Sequence, residues 1–253
     1  MKQHKPTGWI YPLAAIFWLA VWQIAYQKVG SDLLLSSPLS VMKRLWELIR
    51  TPLFWGTVLR SLGRITQGLL LGVVAGFLLG WLSGKVSLIR PFIALPMSII
   101  KATPVASFVI LALVWLSGRN LSVFIVFMMV TPILWAACDE GFHSPDPLLK
   151  EMAKTYRLSY GKRFLHLELP AVKQLFLTAL SVAIGFAFKS GIAGEVIAIP
   201  KGTIGTQLHN AKVYLETTDL FAWTVVIIVL SMVVEKGFRY LIHLLLKKGE
   251  GEK

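Results

Sequence analysis

From Pro6 to Gln27 the chain carries no Asp, Glu, Lys or Arg, and five more uncharged runs follow: Ile65–Gly84, Ala102–Gly118, Leu121–Cys138, Gln174–Phe188 and Leu220–Val234. A helix needs about 20 mostly apolar residues to cross hydrocarbon. Extended to their polar ends, the runs predict six crossings, near 9–27, 60–83, 92–117, 120–139, 173–197 and 218–246. Composition agrees: 15% of residues are charged and the mean hydropathy is +0.66. A soluble domain carries about 25% charge, so a soluble globule or a disordered tail is excluded. Period-two alternation over ten-residue segments is absent, which argues against a membrane β-barrel. Lys2 and Lys5 give the first run a signal-peptide-like start. The run is too long for one, however, and Ala25-Tyr26-Gln27 is a poor cleavage site, so it reads as a span.

The formal charge of +13 suggests nucleic acid in a soluble protein and cytoplasmic loops in a membrane protein. The positions decide. With the N-terminus inside, fifteen basic residues fall in inner segments: the start, 83–91, 139–173 and the tail from Lys236. Seven fall in outer ones: Lys28, Lys43, Arg44, Arg50, Arg119, Lys201 and Lys212. Both termini are therefore predicted to be cytoplasmic, and nucleic acid drops out as a partner. In Pro38–Arg50, Val41, Leu45, Leu48 and Ile49 share one helical face, the pattern of a short helix lying in the interface. Its basic residues on the outer side run against the charge rule. Cys138 is alone, which excludes an internal disulfide framework and a multi-cysteine metal site. The organisation expected is an N-terminal segment (1–55), a transmembrane domain (56–246) holding a cytoplasmic loop (140–172), and a tail (247–253).

In the second span Gly68, Gly72, Gly76, Gly80 and Gly84 recur every four residues, forming one face that another helix can approach closely. Static packing is the expected use; a sliding seam is the alternative. The inner loop Ser144–Gln174 is the most informative stretch. Asp146-Pro147 is a cap followed by a first-turn proline. Leu148, Leu149, Met152, Ala153 and Tyr156 then form an apolar stripe opposite Lys150, Lys154 and Arg157. Such a helix either docks on a partner or lies along the bilayer, and the pattern alone fits both.

Glu151-Met152-Ala153, the aromatic Phe164 and Leu169-Pro170 resemble the cytoplasmic "EAA" loop of binding-protein-dependent ABC importer permeases. That loop reads E-A-A, three residues, G, and L-P near its end. Two positions depart: Met152 stands for an alanine and Arg157 for the glycine. Glycine there would allow a left-handed turn, so arginine either reshapes the turn or passes it on toward Gly161. Leu59–Gly80, Leu95–Gly118 and Phe188–Ile197 are similar to the opening, third span and fifth-span end of that domain. The resemblance covers most of 10–246, and its details are nearest the sulfonate, taurine, nitrate and vitamin-precursor branch. It implies an all-α, six-span type I importer permease in a bacterial inner membrane. Its partners would be a second permease copy, cytoplasmic ATP-binding subunits carrying ATP and Mg, and an extracytoplasmic substrate-binding protein. The loop residues Glu151, Met152, Ala153, Tyr156, Arg157, Gly161, Leu169 and Pro170 would couple to the ATPase, and alternating access would move the solute.

Ionisable residues within spans face protein or a watery path. Lys101, near the midplane of a span interrupted by Pro96 and Pro104, is a candidate for an anion path together with Pro104, Ser107, Lys189 and Glu195. Lys189 and Glu195, six residues apart, stand about 240° apart around a helix and do not pair. Buried structural pairing is the competing reading, Glu195 with a lysine or a loop. Arg60 and Arg64 are expected to snorkel from the outer end of their span. Enzyme signals are weak. Asp139–His143 lacks zinc spacing, and Lys201–Thr206 resembles a phosphate loop only superficially. No Walker motif occurs, so the chain is not expected to hydrolyse ATP or to hold a cofactor. His166 and His209 read as solvated. The rival classes are a secondary transporter of a small organic anion, which would need an ion-coupling site and usually shows repeats, and an intramembrane enzyme, which would need a converging nucleophile and base. None of these features is visible.

Overall fold

The computed structural model describes residues 9–145 and 147–250, and every regular element among them is helical. In chain order these are α1 (Ile10–Val29), α2 (Pro38–Ile49), α3 (Pro52–Lys85), α4 (Arg90–Ala102), α5 (Val105–Ala112), α6 (Gly118–His143), α7 (Pro147–Thr155), α8 (Tyr160–Arg163), α9 (Leu169–Ala198), α10 (Ile204–Val213) and α11 (Thr217–Glu250). One π-helical turn, Phe164–Glu168, joins α8 to α9.

The glycine row of α3 sets the architecture. A Cβ on Gly68 would meet Val126, one on Gly72 Val130, and on Gly76, Gly80 and Gly84 it would meet Leu134, Cys138 and Phe142, all within 3 Å. Each partner on α6 advances four residues with its glycine, so α3 and α6 run parallel and interlock along five turns. Without a hydrophobic drive inside a membrane, small residues let van der Waals packing hold the helices together. Parallel neighbours require the intervening chain to return, and α4 with α5 makes that return. α9 runs antiparallel to both: Gly141 meets Val172 at one end, and Gly191 meets Ile65 and Val126 toward the other. Ile65, Val126, Val130, Leu134, Ile184 and Phe188 fill the space between the three. α11 starts where α3 starts, with Trp223 stacked on Phe54 at 5.4 Å.

Among the described residues, four helical stretches are long and apolar enough to cross a membrane: α3, α6 from Asn120, Tyr160–Ala198 and Thr217–Phe238. Counting α4 and α5 as one broken span gives five, not the six expected. The remaining stretch is α1. It forms a helix where the first crossing was expected. The third expected span is not one helix: α4 and α5 meet at 105°. Thr103 is extended (φ −79°, ψ 127°), as the residue before a proline prefers, and Pro104 is the N-cap residue of α5. Proline thus breaks in two the stretch where a single crossing was expected.

The amphipathic stretch Pro38–Arg50 is helical but does not merely lie in the interface. Val41 is buried, and Leu45, Leu48 and Ile49 pack on the main core. Arg44 grips Asp219 of α11 through Nε and Nη2 at 2.5 and 2.9 Å; this contact holds the guanidinium's pKa above its ordinary value. α10 was not expected. Thr203 caps it, accepting from the Thr206 amide at 3.3 Å, so the Lys201–Thr206 segment is a helix start.

Candidate coupling helix and intramembrane charges

α7 lies at the end of the bundle where α3 and α6 finish. Its expected cap, Asp146, lies outside the described residues. Leu148, Leu149, Met152 and Tyr156 are exposed, at 68%, 48%, 50% and 73%, whereas Ala153 is buried at 6%. The predicted stripe is therefore split. Ala153 faces its own chain, and the outward apolar surface is carried by the four larger side chains, with Glu151 exposed beside them.

The helix closes as a glycine would close it. Arg157 adopts φ +48°, and the Leu158 amide donates to the Ala153 carbonyl at 3.0 Å. This is the six-to-one bond of a Schellman cap, with arginine in the left-handed position. A non-glycine residue there costs about 1–2 kcal/mol. The turn is not passed on to Gly161, which lies inside α8. Leu169 and Pro170 open α9, where proline is tolerated in the first turn.

Sequence reasoning missed how this loop is tied to the spans. Lys85, at the end of α3, sits over the rings of Tyr160, Phe164 and Phe142, with Nζ 4.7, 5.3 and 5.4 Å from their centroids. It also donates to Glu168 in the π turn, which pairs on its other side with Arg163 at 3.4 Å. Phe142 of α6 stacks on Phe164 at 6.3 Å. One lysine thereby joins α3, α6, α8 and the start of α9. Beside it, Asp139 of the segment without zinc spacing is a buried residue of α6. It accepts from Ser83 at 2.7 Å and from Arg90 of α4 at 3.0 Å, and Trp135 donates to Ser83 at 3.1 Å. Phe164 was the only part of this assembly with a sequence signal, through its aromatic position in the loop motif.

The intramembrane candidates separate. Lys101 is exposed at the last turn of α4, Pro104 and Ser107 are exposed at the start of α5, and Lys189 is exposed on α9. Neither lysine has a hydrogen bond or ion pair among the described residues. Glu195 does not join them. It is 0% exposed and pins α9 to α3 and α10: Ser61 donates to Oε2 at 2.7 Å and the Gly205 amide at 3.2 Å, while the Ser61 oxygen accepts from the Ile204 amide at 2.9 Å. Arg60 and Arg64 do not snorkel freely either. Arg60 Nε donates to the Gly202 carbonyl at 2.8 Å, and Arg64 is half-buried with Nη1 shielded from solvent.

A family model described as the binding-protein-dependent transport system inner membrane component matches residues 68–245, well over half of the chain. The chain belongs to this family. Similar permeases include the taurine transport system permease protein TauC of Escherichia coli, 24% identical across 95% of this chain and 93% of its own length. The putative aliphatic sulfonates transport permease protein SsuC of Bacillus subtilis is 22% identical, across 96% and 89%. The bicarbonate transport system permease protein CmpB of Synechococcus elongatus is 28% identical, across 77% and 74%. A solved chain described as an amino acid ABC transporter with histidines superimposes with a TM-score of 0.63, covering 81% of this chain and 97% of that one at 18% identity; the likeness is one of fold. As a permease of this family, the chain is an all-helical, multi-pass membrane protein of a transport system.

Proposed function

We propose that this permease is the membrane-spanning subunit of an ATP-driven importer for a small anion. A separate ATP-binding subunit, which holds the ATP and Mg, docks on α7, and a binding protein delivers the solute at the opposite end. Two copies of the chain pair across the path in the inner membrane, with both termini cytoplasmic as the distribution of basic residues favours. The observation that carries this reading is α7 itself: a short helix with exposed Leu148, Leu149, Met152 and Tyr156, followed directly in the chain by Tyr160, Phe164 and Glu168, which Lys85 ties to the ends of α3 and α6. A push on α7 reaches α3 and α6 at their ends, and the parallel, interlocked pair moves as one body. Alternating access follows when the two subunits' bodies rock against each other. The anionic class is supported by relatives named for sulfonates, taurine and bicarbonate and by Lys101 and Lys189, exposed on membrane-crossing elements and without an ion pair among the described residues.

The test is site-directed crosslinking. Met152→Cys, in a Cys138→Ala background, should crosslink to the co-expressed ATP-binding subunit and change its yield with nucleotide. A crosslink absent at Met152 and Tyr156 alike, in a complex that still assembles, would overturn the placement of the ATPase on α7.

A further inference from the structure

At the end of the bundle opposite α7, a cavity of about 770 Å³ opens between α3 and α6, lined by Arg60, Arg64, Gln67, Ser117, Asn120 and Val123. Its lining is polar in a membrane-crossing region, where polar side chains are kept for water, partners or cargo. Arg60, Arg64 and Gln67 recur at helical spacing along one face of α3. Below them a second cavity of about 340 Å³ shares Gln67, Asn120 and Val123 and continues past Leu71 and Phe127. The polar chamber thus leads into an apolar passage along the same two helices.

The donors in the chamber are arranged and largely unspent. Arg60 is fixed through Nε by the Gly202 carbonyl, which leaves its terminal nitrogens for another partner. Arg64 Nη1 is buried and makes no hydrogen bond among the described residues, a costly state for a charged donor. Ser117, the N-cap residue of α6, makes no side-chain cap bond, so among the described residues its hydroxyl is unpartnered at the positive end of a 26-residue helix. Asn120 stands one turn further in. The acidic group within electrostatic reach of Arg64 is Glu195; its Oε2 is held by Ser61 and Gly205, and its Oε1, like Arg64 Nη1, is buried without a hydrogen bond among the described residues. Two guanidiniums against one carboxylate leave a net positive chamber.

We infer that this chamber is an anion-binding site, taking a monoanionic oxyanion such as a sulfonate or carboxylate head group on Arg60, Arg64, Ser117 and Asn120. Guanidinium forks match planar and tetrahedral oxyanions, and the helix end adds amide donors. The inference rests on the permease reading and adds selectivity to it: the membrane subunit itself would test the charge of the solute that it receives. Lys101 and Lys189 are then a second stage rather than the first contact.

The experiment is titration calorimetry on the full chain in lipid nanodiscs, with methanesulfonate as probe and dimethyl sulfone as its neutral counterpart of similar size. Methanesulfonate should bind and dimethyl sulfone should not. Arg64→Gln should weaken methanesulfonate binding about tenfold or more, the usual worth of a charge-assisted hydrogen bond. Asn120→Leu, at an exposed position, should weaken it as well, which separates loss of the site from loss of the fold. Absent or equal binding of both probes, or wild-type affinity in both variants, would overturn the assignment. Co-purification with the ATP-binding subunit does not involve this chamber. A chain that co-purifies but fails to bind methanesulfonate loses the site and keeps the permease role; a chain that binds it without co-purifying loses the role.

Discussion

Gly80→Ala tests the packing that makes α3 and α6 a single body. The added Cβ would lie 2.4 Å from the Cβ of Cys138 and 3.0 Å from the Trp135 carbonyl oxygen. Ordinary contact begins at 3.4 Å, so the helices must separate locally by about 1 Å, and neither obstacle is the flexible end of a side chain. Overpacking of this kind costs about 1–3 kcal/mol, and near-backbone clashes fall at the upper end. Gly63, on the same helix, has nothing within 4 Å of its ideal Cβ, so Gly63→Ala should gain about 0.5–1 kcal/mol from helix propensity alone. The two substitutions are chemically identical and should differ in sign. Reversible unfolding in mixed detergent micelles, followed by far-UV circular dichroism, measures both. Adding Cys138→Gly to Gly80→Ala removes the opposing atom and should recover most of the loss, less about 1 kcal/mol for glycine within a helix. If Gly80→Ala is as stable as Gly63→Ala, the close parallel packing is wrong, and with it the single α3–α6 body.

Met152→Glu and Ala153→Asp should fail differently. The first should leave a stable permease that no longer retains the ATP-binding subunit on a column; the second buries a charge and should reduce folded protein. Loss of fold in both, or in neither, would contradict the split stripe. Lys101→Met should lower uptake at least tenfold at normal protein level and normal ATPase binding, whereas unchanged uptake would remove Lys101 from the path. Glu195→Leu should cost about 2–4 kcal/mol, because it strands the Ser61 hydroxyl and Gly205 amide and leaves Arg64 without its balancing charge. A stable Glu195→Leu permease with altered transport would restore Glu195 to the path.

The helices with strong apolar runs were legible because the bilayer imposes one rule on all of them, and α3, α6, α9 and α11 each contain the stretch predicted. The glycine row announced a close neighbour but could not name α6, since register between helices is a property of two sequences at once. Pro104 announced a disturbance, yet its 105° magnitude depends on what α5 packs against. The stripe on α7 was visible, but which part of it turns inward was not: alanine is small enough to serve either surface. Glu195 and Asp139 looked like polar oddities because their partners, Ser61, Gly205, Ser83 and Arg90, come from other helices. The Lys85 assembly draws on four elements and had almost no local signature.

Under the proposed function, this chain moves solute only when an ATP-binding subunit drives it. Uptake of radiolabelled taurine, ethanesulfonate and bicarbonate into proteoliposomes measures this directly, with the permease reconstituted with or without its co-expressed ATP-binding subunit and binding protein. Accumulation of one of these anions should require ATP and all three components and should survive collapse of the ion gradients. Accumulation by the permease alone, driven by a proton or sodium gradient and indifferent to ATP, would contradict it.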